Sequence, residues 1–162
     1  MVVGSGSSNV EKQGGGTLKL GLGVNSPGLD MSVSSGLLTV NGIIGNVTLA
    51  STMSLGAGQT ATLRKAGDGM LTLTSAQAVA SVSVDQGTLR VGHTAALGAG
   101  VTKVNGGTLS LASSIVVPNA IDVYQGGTLG GTGGVGAVRL KAGGVLSPGN
   151  SPGILALQSL VL

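Results

Sequence analysis

The chain has 162 residues, with 32 glycines, one aromatic residue and no cysteine, which excludes disulfides, cysteine-based zinc sites, thiol catalysis and a core of large aromatic side chains. Eight basic and five acidic residues give a net charge of +3. The basic residues form no run and have no aromatic neighbours for base stacking, so we do not expect nucleic-acid binding. A weak attraction to anionic surface polysaccharide stays open.

The first residues predict a flexible tail. Residues 1–13 include the glycine- and serine-rich stretch 4–8, and they lack the basic opening and the apolar centre of a signal peptide. No apolar run reaches the roughly 18 residues that a membrane-spanning helix needs. We therefore expect a tail over residues 1–13, a repeat domain over residues 14–162 and no signal peptide in this sequence.

A three-residue phrase returns along the chain at a nearly constant spacing. Its third residue is leucine at positions 89, 109, 129 and 146, which are separated by 20, 20 and 17 residues. A fixed period in this range is typical of a solenoid built of stacked coils. The phrase reads Gly-Thr-Leu at 16–18, 87–89, 107–109 and 127–129, with degenerate copies at 36–38, 69–71 and 144–146.

Each clear repeat contains two short strands separated by a corner. The strand before the corner alternates apolar and polar residues, as half-buried strands do. Glycines such as Gly106 and Gly107 form the corner, where a positive φ is easiest for glycine. A third, more variable side should bring Leu97 and the aliphatic run 113–119 inward. Two further inward columns are expected, one from each strand of the repeat. The first comprises Val84, Val104, Val123 and Leu140, and the second comprises Leu89, Leu109, Leu129 and Leu146.

These patterns predict an all-β fold, a parallel β-helix of about eight coils with the clearest repeats over residues 62–162. The count takes residues 46–49 and 53–55 as one unrecognised coil between Leu38 and Leu71. Asn-Gly between strands is also typical of a β-hairpin, so an antiparallel sandwich or roll is the alternative. Hairpins would give about half the observed period and would leave the third segment without a role.

Two stretches resemble a known family. Residues 87–100 and 104–109 are similar to the autotransporter-associated β-strand repeat of bacterial type V passenger domains, and residues 147–153 are similar to a Ser-Pro-Gly-Asn-Ser-Pro-Gly phrase found in such passengers. A shorter copy stands at residues 25–28. The resemblance is clear from about residue 62 onward. It implies a right-handed parallel β-helix displayed at the cell surface, or extracellularly, beyond a Gram-negative outer membrane.

The resemblance also implies a function and partners. Passenger repeats form stalks and scaffolds, so we expect a non-enzymatic structural or adhesive segment of an autotransporter-like surface protein. Its partner would be a surface molecule of a host or neighbouring cell, or a polysaccharide. The family's C-terminal β-barrel translocator is missing from this sequence, so we expect a fragment of a longer protein, an excised piece of one, or the product of a truncated reading frame. We also expect self-association through the coil ends, because residues 153–162 carry no charge.

We predict no catalytic, cofactor-binding or metal-binding residue. His93 is the single histidine and is expected to be a solvated spacer. Asp68 and Asp85 lie 17 residues apart, so adjacent coils could bring them together, as in a two-carboxylate glycosidase or a calcium site. Both stand in turns, where aspartate bonds its own backbone. A fragment of a carbohydrate-active β-helix enzyme is therefore the alternative function.

Outward-facing columns give two further expectations. Threonines at 17, 88, 108 and 128 form a column that suggests ice binding, a less favoured alternative because the next column contains cations. That second column should hold Lys19, Thr39, Thr72, Arg90, Ser110 and Gly130. On the strand before the corner, Lys103, Asp122 and Arg139 should form an exposed ladder of alternating charge.

Overall fold

The computed structural model describes the backbone of residues 8–12, 17–21, 29–33, 36–41, 46–49, 61–149 and 153–162, and the side chains of residues 62–149 and 153–162. Residues 25–28 and 150–152, which are part of the family resemblance, and residues 53–55, which are part of the predicted extra coil, lie outside the described residues. Of the predicted tail over residues 1–13, only Ser8–Lys12 is described, as a strand.

All the described elements are β-strands. Seventeen are present in the described part of the chain. In chain order they are β1 (Ser8–Lys12), β2 (Thr17–Gly21), β3 (Leu29–Val33), β4 (Gly36–Asn41), β5 (Asn46–Leu49), β6 (Ala61–Ala66), β7 (Met70–Leu73), β8 (Ser81–Val84), β9 (Thr88–Val91), β10 (Thr102–Val104), β11 (Thr108–Leu111), β12 (Val116–Val117), β13 (Ile121–Val123), β14 (Thr128–Gly131), β15 (Gly134–Leu140), β16 (Val145–Pro148) and β17 (Ala156–Val161).

The strands stack into two parallel sheets. The first sheet runs β2-β4-β6-β8-β10-β13-β15, with β12 and β17 also paired to β15. The second sheet runs β5-β7-β9-β11-β14-β16. Separately, β1 pairs with β3 in parallel. From β4 to β11, and again from β13 to β17, successive strands alternate between the two sheets, and each pairs with the equivalent strand one turn away. The predicted parallel β-solenoid is confirmed, and the antiparallel alternative is wrong.

About five turns occupy residues 61–149, whereas the eight coils predicted over residues 14–162 include one between Leu38 and Leu71 that is absent from the described strands, because β4 pairs directly with β6. The difference begins in the N-terminal part. Leu38 lies in β4 of the first sheet and Val47 in β5 of the second. These two residues were predicted to lie in separate coils, whereas their strands are successive sides of one turn. The phrases at 16–18 and 36–38 resemble the second-sheet phrase, but their strands pair within the first sheet.

The two inward columns are confirmed. In the first sheet Val84 pairs in register with Val104, and Val104 with Val123, and all three side chains are fully buried. In the second sheet the leucines at 89, 109 and 129 stack in the same way. Leu140 and Leu146 continue the columns as partly buried residues. The third side closes the core with buried Leu97 and Val117.

The corners between the sheets are held by backbone hydrogen bonds from one turn to the next. The amide of Asn105 donates to Val84 O at 2.8 Å, and the amide of Tyr124 donates to Val104 O at 2.9 Å. Gly87 has φ +66°, and a side chain there would collide with the carbonyl oxygen of Gly67 in the turn below. Glycine is therefore required at this corner, as the sequence predicted.

Candidate functional site

Polar side chains cluster at the corner that follows β6 and β8. Asp85 accepts hydrogen bonds from Ser83 Oγ at 2.7 Å and Asn105 Nδ2 at 2.8 Å, and it forms an ion pair with Arg64. Burial raises the pKa of Asp85, but the hydrogen bonds from Ser83, Asn105 and Arg64 together outweigh burial and hold it below its ordinary value. The Asp85 carboxylate is thus ionised, and its three partners come from three successive turns.

The second predicted aspartate lies one corner below. Asp68 accepts a hydrogen bond from Gln86 Nε2 of the next turn. The sequence predicted that Asp68 and Asp85 bond their own backbone, but every hydrogen bond described for the two carboxylates comes from a side chain. Their donors come mostly from neighbouring turns. These contacts tie successive coils together.

Lys65 lies inside this corner, at an interior position that was not predicted from the sequence. Its side chain is fully buried, and its Nζ donates to the carbonyl oxygens of Ala66 at 3.0 Å, Gly67 at 2.6 Å and Gln86 at 3.1 Å. Burial lowers the pKa of Lys65, and the charge of Asp68 only partly opposes this shift. The alternation Leu63-Arg64-Lys65 was the available signal, because it gives Lys65 the same inward direction as Leu63.

The predicted charge ladder has the expected register but a different exposure. Lys103 pairs with Asp122, and Asp122 with Arg139. Arg139 Nε donates to Asp122 Oδ1 at 2.6 Å, and Asp122 is only 8% exposed. The prediction that all three residues are exposed is wrong for Asp122, because it lies between two paired strands and against the Arg139 side chain.

His93 has a local structural contact. Its Nδ1 accepts a hydrogen bond from the amide of Ala95 at 3.1 Å, in the turn that begins the third side. Among the described residues, no group of three or more histidine, aspartate or glutamate side chains could hold a metal ion.

A groove on the outer face of the second sheet is the best candidate for a binding site. It has a volume of about 530 Å³ and crosses four turns. Its base follows one outward column, in which Arg90, Ser110, Gly130 and Ser147 pair in register. Gly130 carries no side chain where its neighbours have one, and the carbonyl oxygen of Ser147 lies 2.8 Å from where its Cβ would be. Since strands are about 4.8 Å apart, these four positions span roughly 14 Å along the solenoid axis.

Hydroxyl groups line the walls of this groove. Thr108 and Thr128 stand on one side, and Ser113 and Thr132 lie on the other, where the chain leaves the second sheet. Arg90 is the one charged residue among those that line it. The groove can therefore offer hydrogen bonds and one positive charge to a polar ligand.

The threonine column is shorter than predicted. Thr88, Thr108 and Thr128 stack in register on the second sheet, but Thr17 lies in β2 of the first sheet, where it pairs with Leu37. Lys19 and Thr39 likewise lie in the first sheet. They do not share a column with Arg90, because both copies of the phrase near the N-terminus belong to first-sheet strands.

Comparison with known proteins adds no relative. No protein-family model matches the chain, and neither a curated protein nor a solved structure matches it. In the part of the chain that the structure describes, no helix could cross a membrane.

Proposed function

We propose that this chain is a non-enzymatic structural and adhesive segment of an autotransporter-like surface protein. In this proposal the solenoid is a scaffold that presents the hydroxyl-lined groove of the second sheet to a polysaccharide on a neighbouring or host cell. The observation that carries the adhesive part is the groove itself. The autotransporter origin and the surface location rest on the sequence resemblance over residues 62–162.

The physical properties of the stack suit a scaffold. Most interior positions are filled by apolar side chains from successive turns, so each turn buries its apolar residues against the next. Leu109, for example, is fully buried between Leu89 and Leu129. The outer strand positions are then free to vary without loss of the core. A groove that follows such a regular surface is open to an extended polymer.

Binding of the full chain to immobilised polysaccharides tests this proposal. The panel contains neutral dextran, polygalacturonate and dextran sulfate. Ser110→Tyr places a large ring in the groove at a strand position that tolerates aromatic residues, and we expect it to abolish binding. The matched control is Ala137→Tyr, since Ala137 is a small exposed residue of β15 in the first sheet.

Two results would count against the proposal. If none of the polysaccharides bound, or if both tyrosine variants bound as the wild type does, the groove would not be an adhesive surface. If reducing ends accumulated when the chain was incubated with a polymer, the non-enzymatic part would be wrong. The carbohydrate-active alternative would then return, with the corner carboxylates Asp68 and Asp85 as the residues to examine.

We propose in addition that the molecules associate through the open edge of β17. This strand pairs with β15 on one side, and no described strand pairs with its other edge. Leu160, Val161 and Leu162 are 45%, 56% and 89% exposed, and residues 153–162 carry no charge to oppose pairing. The occupant is a second copy of this edge, because two such edges related by a two-fold axis can pair with each other.

A further inference from the structure

The position and surroundings of Arg90 indicate which polysaccharides the groove would select. The Arg90 side chain is exposed at one end of the groove. Among the described residues its guanidinium has no ion pair or side-chain hydrogen bond, whereas Arg64 and Arg139 are each paired with an aspartate. No carboxylate lines the groove. The positive charge of Arg90 is thus available to a ligand.

The backbone of the groove is not arranged to hold a phosphate. Anion sites of that kind use several free backbone amides. Here the amides of Thr128, Thr132 and Gly149 donate to carbonyl oxygens of the neighbouring turn, at 2.9, 3.1 and 2.9 Å. The remaining ligand groups are side-chain hydroxyls and one planar guanidinium. A guanidinium binds a carboxylate or a phosphate through two parallel hydrogen bonds. Because these backbone amides are not free to bind the remaining oxygens of a phosphate, a carboxylate is the anion that fits best.

The hydroxyl groups favour a polymer that lies along the solenoid axis. Thr108 and Thr128 repeat at the strand spacing of about 4.8 Å, which is comparable to the length of one sugar ring in an extended chain. Sugar hydroxyls both donate and accept hydrogen bonds, as serine and threonine hydroxyls do. Successive sugar residues can therefore meet equivalent side chains in successive turns.

We propose that the groove binds an acidic polysaccharide of the uronic acid class, with one carboxylate on Arg90 and the following sugars along Thr108 and Thr128. This inference rests on the proposed adhesive function and specifies its ligand. Binding should weaken as salt is added, because the contact with Arg90 is an exposed ion pair.

The test is isothermal titration of the full chain with polygalacturonate, and with dextran as the neutral polymer. We expect polygalacturonate to bind more tightly than dextran. Arg90→Gln should lower the affinity for polygalacturonate about tenfold or more, the effect of losing a charged hydrogen bond. Lys103→Gln removes the same charge from an exposed position on the first sheet and should change the affinity less than about twofold.

A second pair of variants tests the hydroxyl wall independently of charge. Thr108→Val combined with Thr128→Val keeps the shape of the side chains but removes two hydroxyls, and it should weaken binding several-fold. Thr94→Val, at an exposed position on the third side, is its control. Far-UV circular dichroism confirms that each variant retains the β-sheet signal.

Several results would overturn the inference. Equal losses in Arg90→Gln and Lys103→Gln would mean that only the net charge attracts the polymer. If dextran bound as tightly as polygalacturonate and Ser110→Tyr abolished both, the adhesive groove would stand but its preference for uronic acids would be wrong. If no polymer bound, the adhesive function itself would fail. Loss of affinity in Arg90→Gln alone, with tighter binding of polygalacturonate than of dextran, supports the inference.

Discussion

Lys65 pairs in register with Val84, so an ammonium-bearing side chain occupies the interior column that valines fill in the next turns. Its Nζ reaches the corner and donates to three backbone carbonyls, the closest of them Gly67 O at 2.6 Å. These hydrogen bonds compensate only part of the cost of burying the charge, because burial still lowers the pKa of Lys65.

This burial gives a pH dependence with a definite sign. The pKa of Lys65 in the folded protein lies below its ordinary value of 10.5. Folding is penalised while the amine is protonated in both states, and the penalty is relieved as the pH rises through the folded pKa towards the unfolded one. We therefore expect the free energy of unfolding to rise with pH between the folded pKa of Lys65 and its ordinary value of 10.5.

Urea unfolding of Lys65→Met measures this contribution. The variant should lack the alkaline rise that the wild type shows, because methionine fills the column without a titrating group. Lys103→Met, which removes an exposed lysine, should keep the wild-type dependence. Parallel curves for the wild type and Lys65→Met would show that Lys65 does not titrate as a buried group.

Asp85 should give a dependence of the same sign, but in the acid range. Its folded pKa lies below the ordinary value of 3.8, so its ionised form stabilises the fold at higher pH, and this stabilisation is lost as the pH falls through the folded pKa. Asp85→Asn should therefore lose less stability on acidification than the wild type.

Removal of one donor by Asn105→Ala should raise the pKa of Asp85, as measured by NMR titration of the carboxyl carbon. An unchanged pKa would mean that the Asn105 contact contributes nothing in solution.

Much of the fold followed from the sequence because the period of the repeat is also the period of the structure. From residue 62 onward, each inward residue has a counterpart about 20 residues away, and the two pair in register, as Leu89 and Leu109 do. The sequence could not separate the two sheets near the N-terminus, because Thr17-Leu18 and Thr88-Leu89 look alike yet pair in different sheets. The local sequence pattern determines that a segment forms a strand. Pairing with the strands of neighbouring turns determines which sheet the segment joins.

The candidate groove was harder to foresee. Arg90, Ser110 and Gly130 were correctly aligned as outward neighbours, but their significance depended on what each does to the surface. Gly130 permits the close approach of the Ser147 carbonyl and Arg90 contributes an unpaired charge, and neither property follows from alternation alone. The partners of the corner carboxylates were equally hidden, since Arg64 and Asp85 are 21 residues apart in the chain.

Core and surface positions of β11 should respond differently to truncation. Leu109 is fully buried between two leucines of adjacent turns, so Leu109→Ala should lower the free energy of unfolding by about 2–5 kcal/mol. Thr108 is its half-buried neighbour on the outer face, and Thr108→Ala should cost less than about 1 kcal/mol. Denaturant midpoints with unchanged slopes give both values. Equal losses would contradict the assigned alternation.

The charge ladder predicts an uneven response along one column. Lys103 is exposed, and Lys103→Ala should change stability by about 0–1 kcal/mol. Asp122 is 8% exposed and accepts a hydrogen bond from Arg139, so Asp122→Ala should cost about 1–3 kcal/mol. Asp122→Asn keeps an acceptor oxygen and should cost less than the alanine variant. If Lys103→Ala were the more damaging change, the ion pair would not be the main contact of this column.

The open edge of β17 leads to a prediction about assembly. Pairing of two β17 strands would satisfy the backbone groups along that edge and would cover Leu160 and Val161. Sedimentation at increasing concentration should show species heavier than the monomer of 15.4 kDa.

Leu160→Lys places a charge on each copy at the contact and should keep the protein monomeric, since like charges facing each other oppose pairing. Ala137→Lys adds the same charge at an exposed position of β15 and should still associate. A wild-type protein that stays monomeric at high concentration, or association that survives Leu160→Lys, would show that this edge is not where the molecules meet.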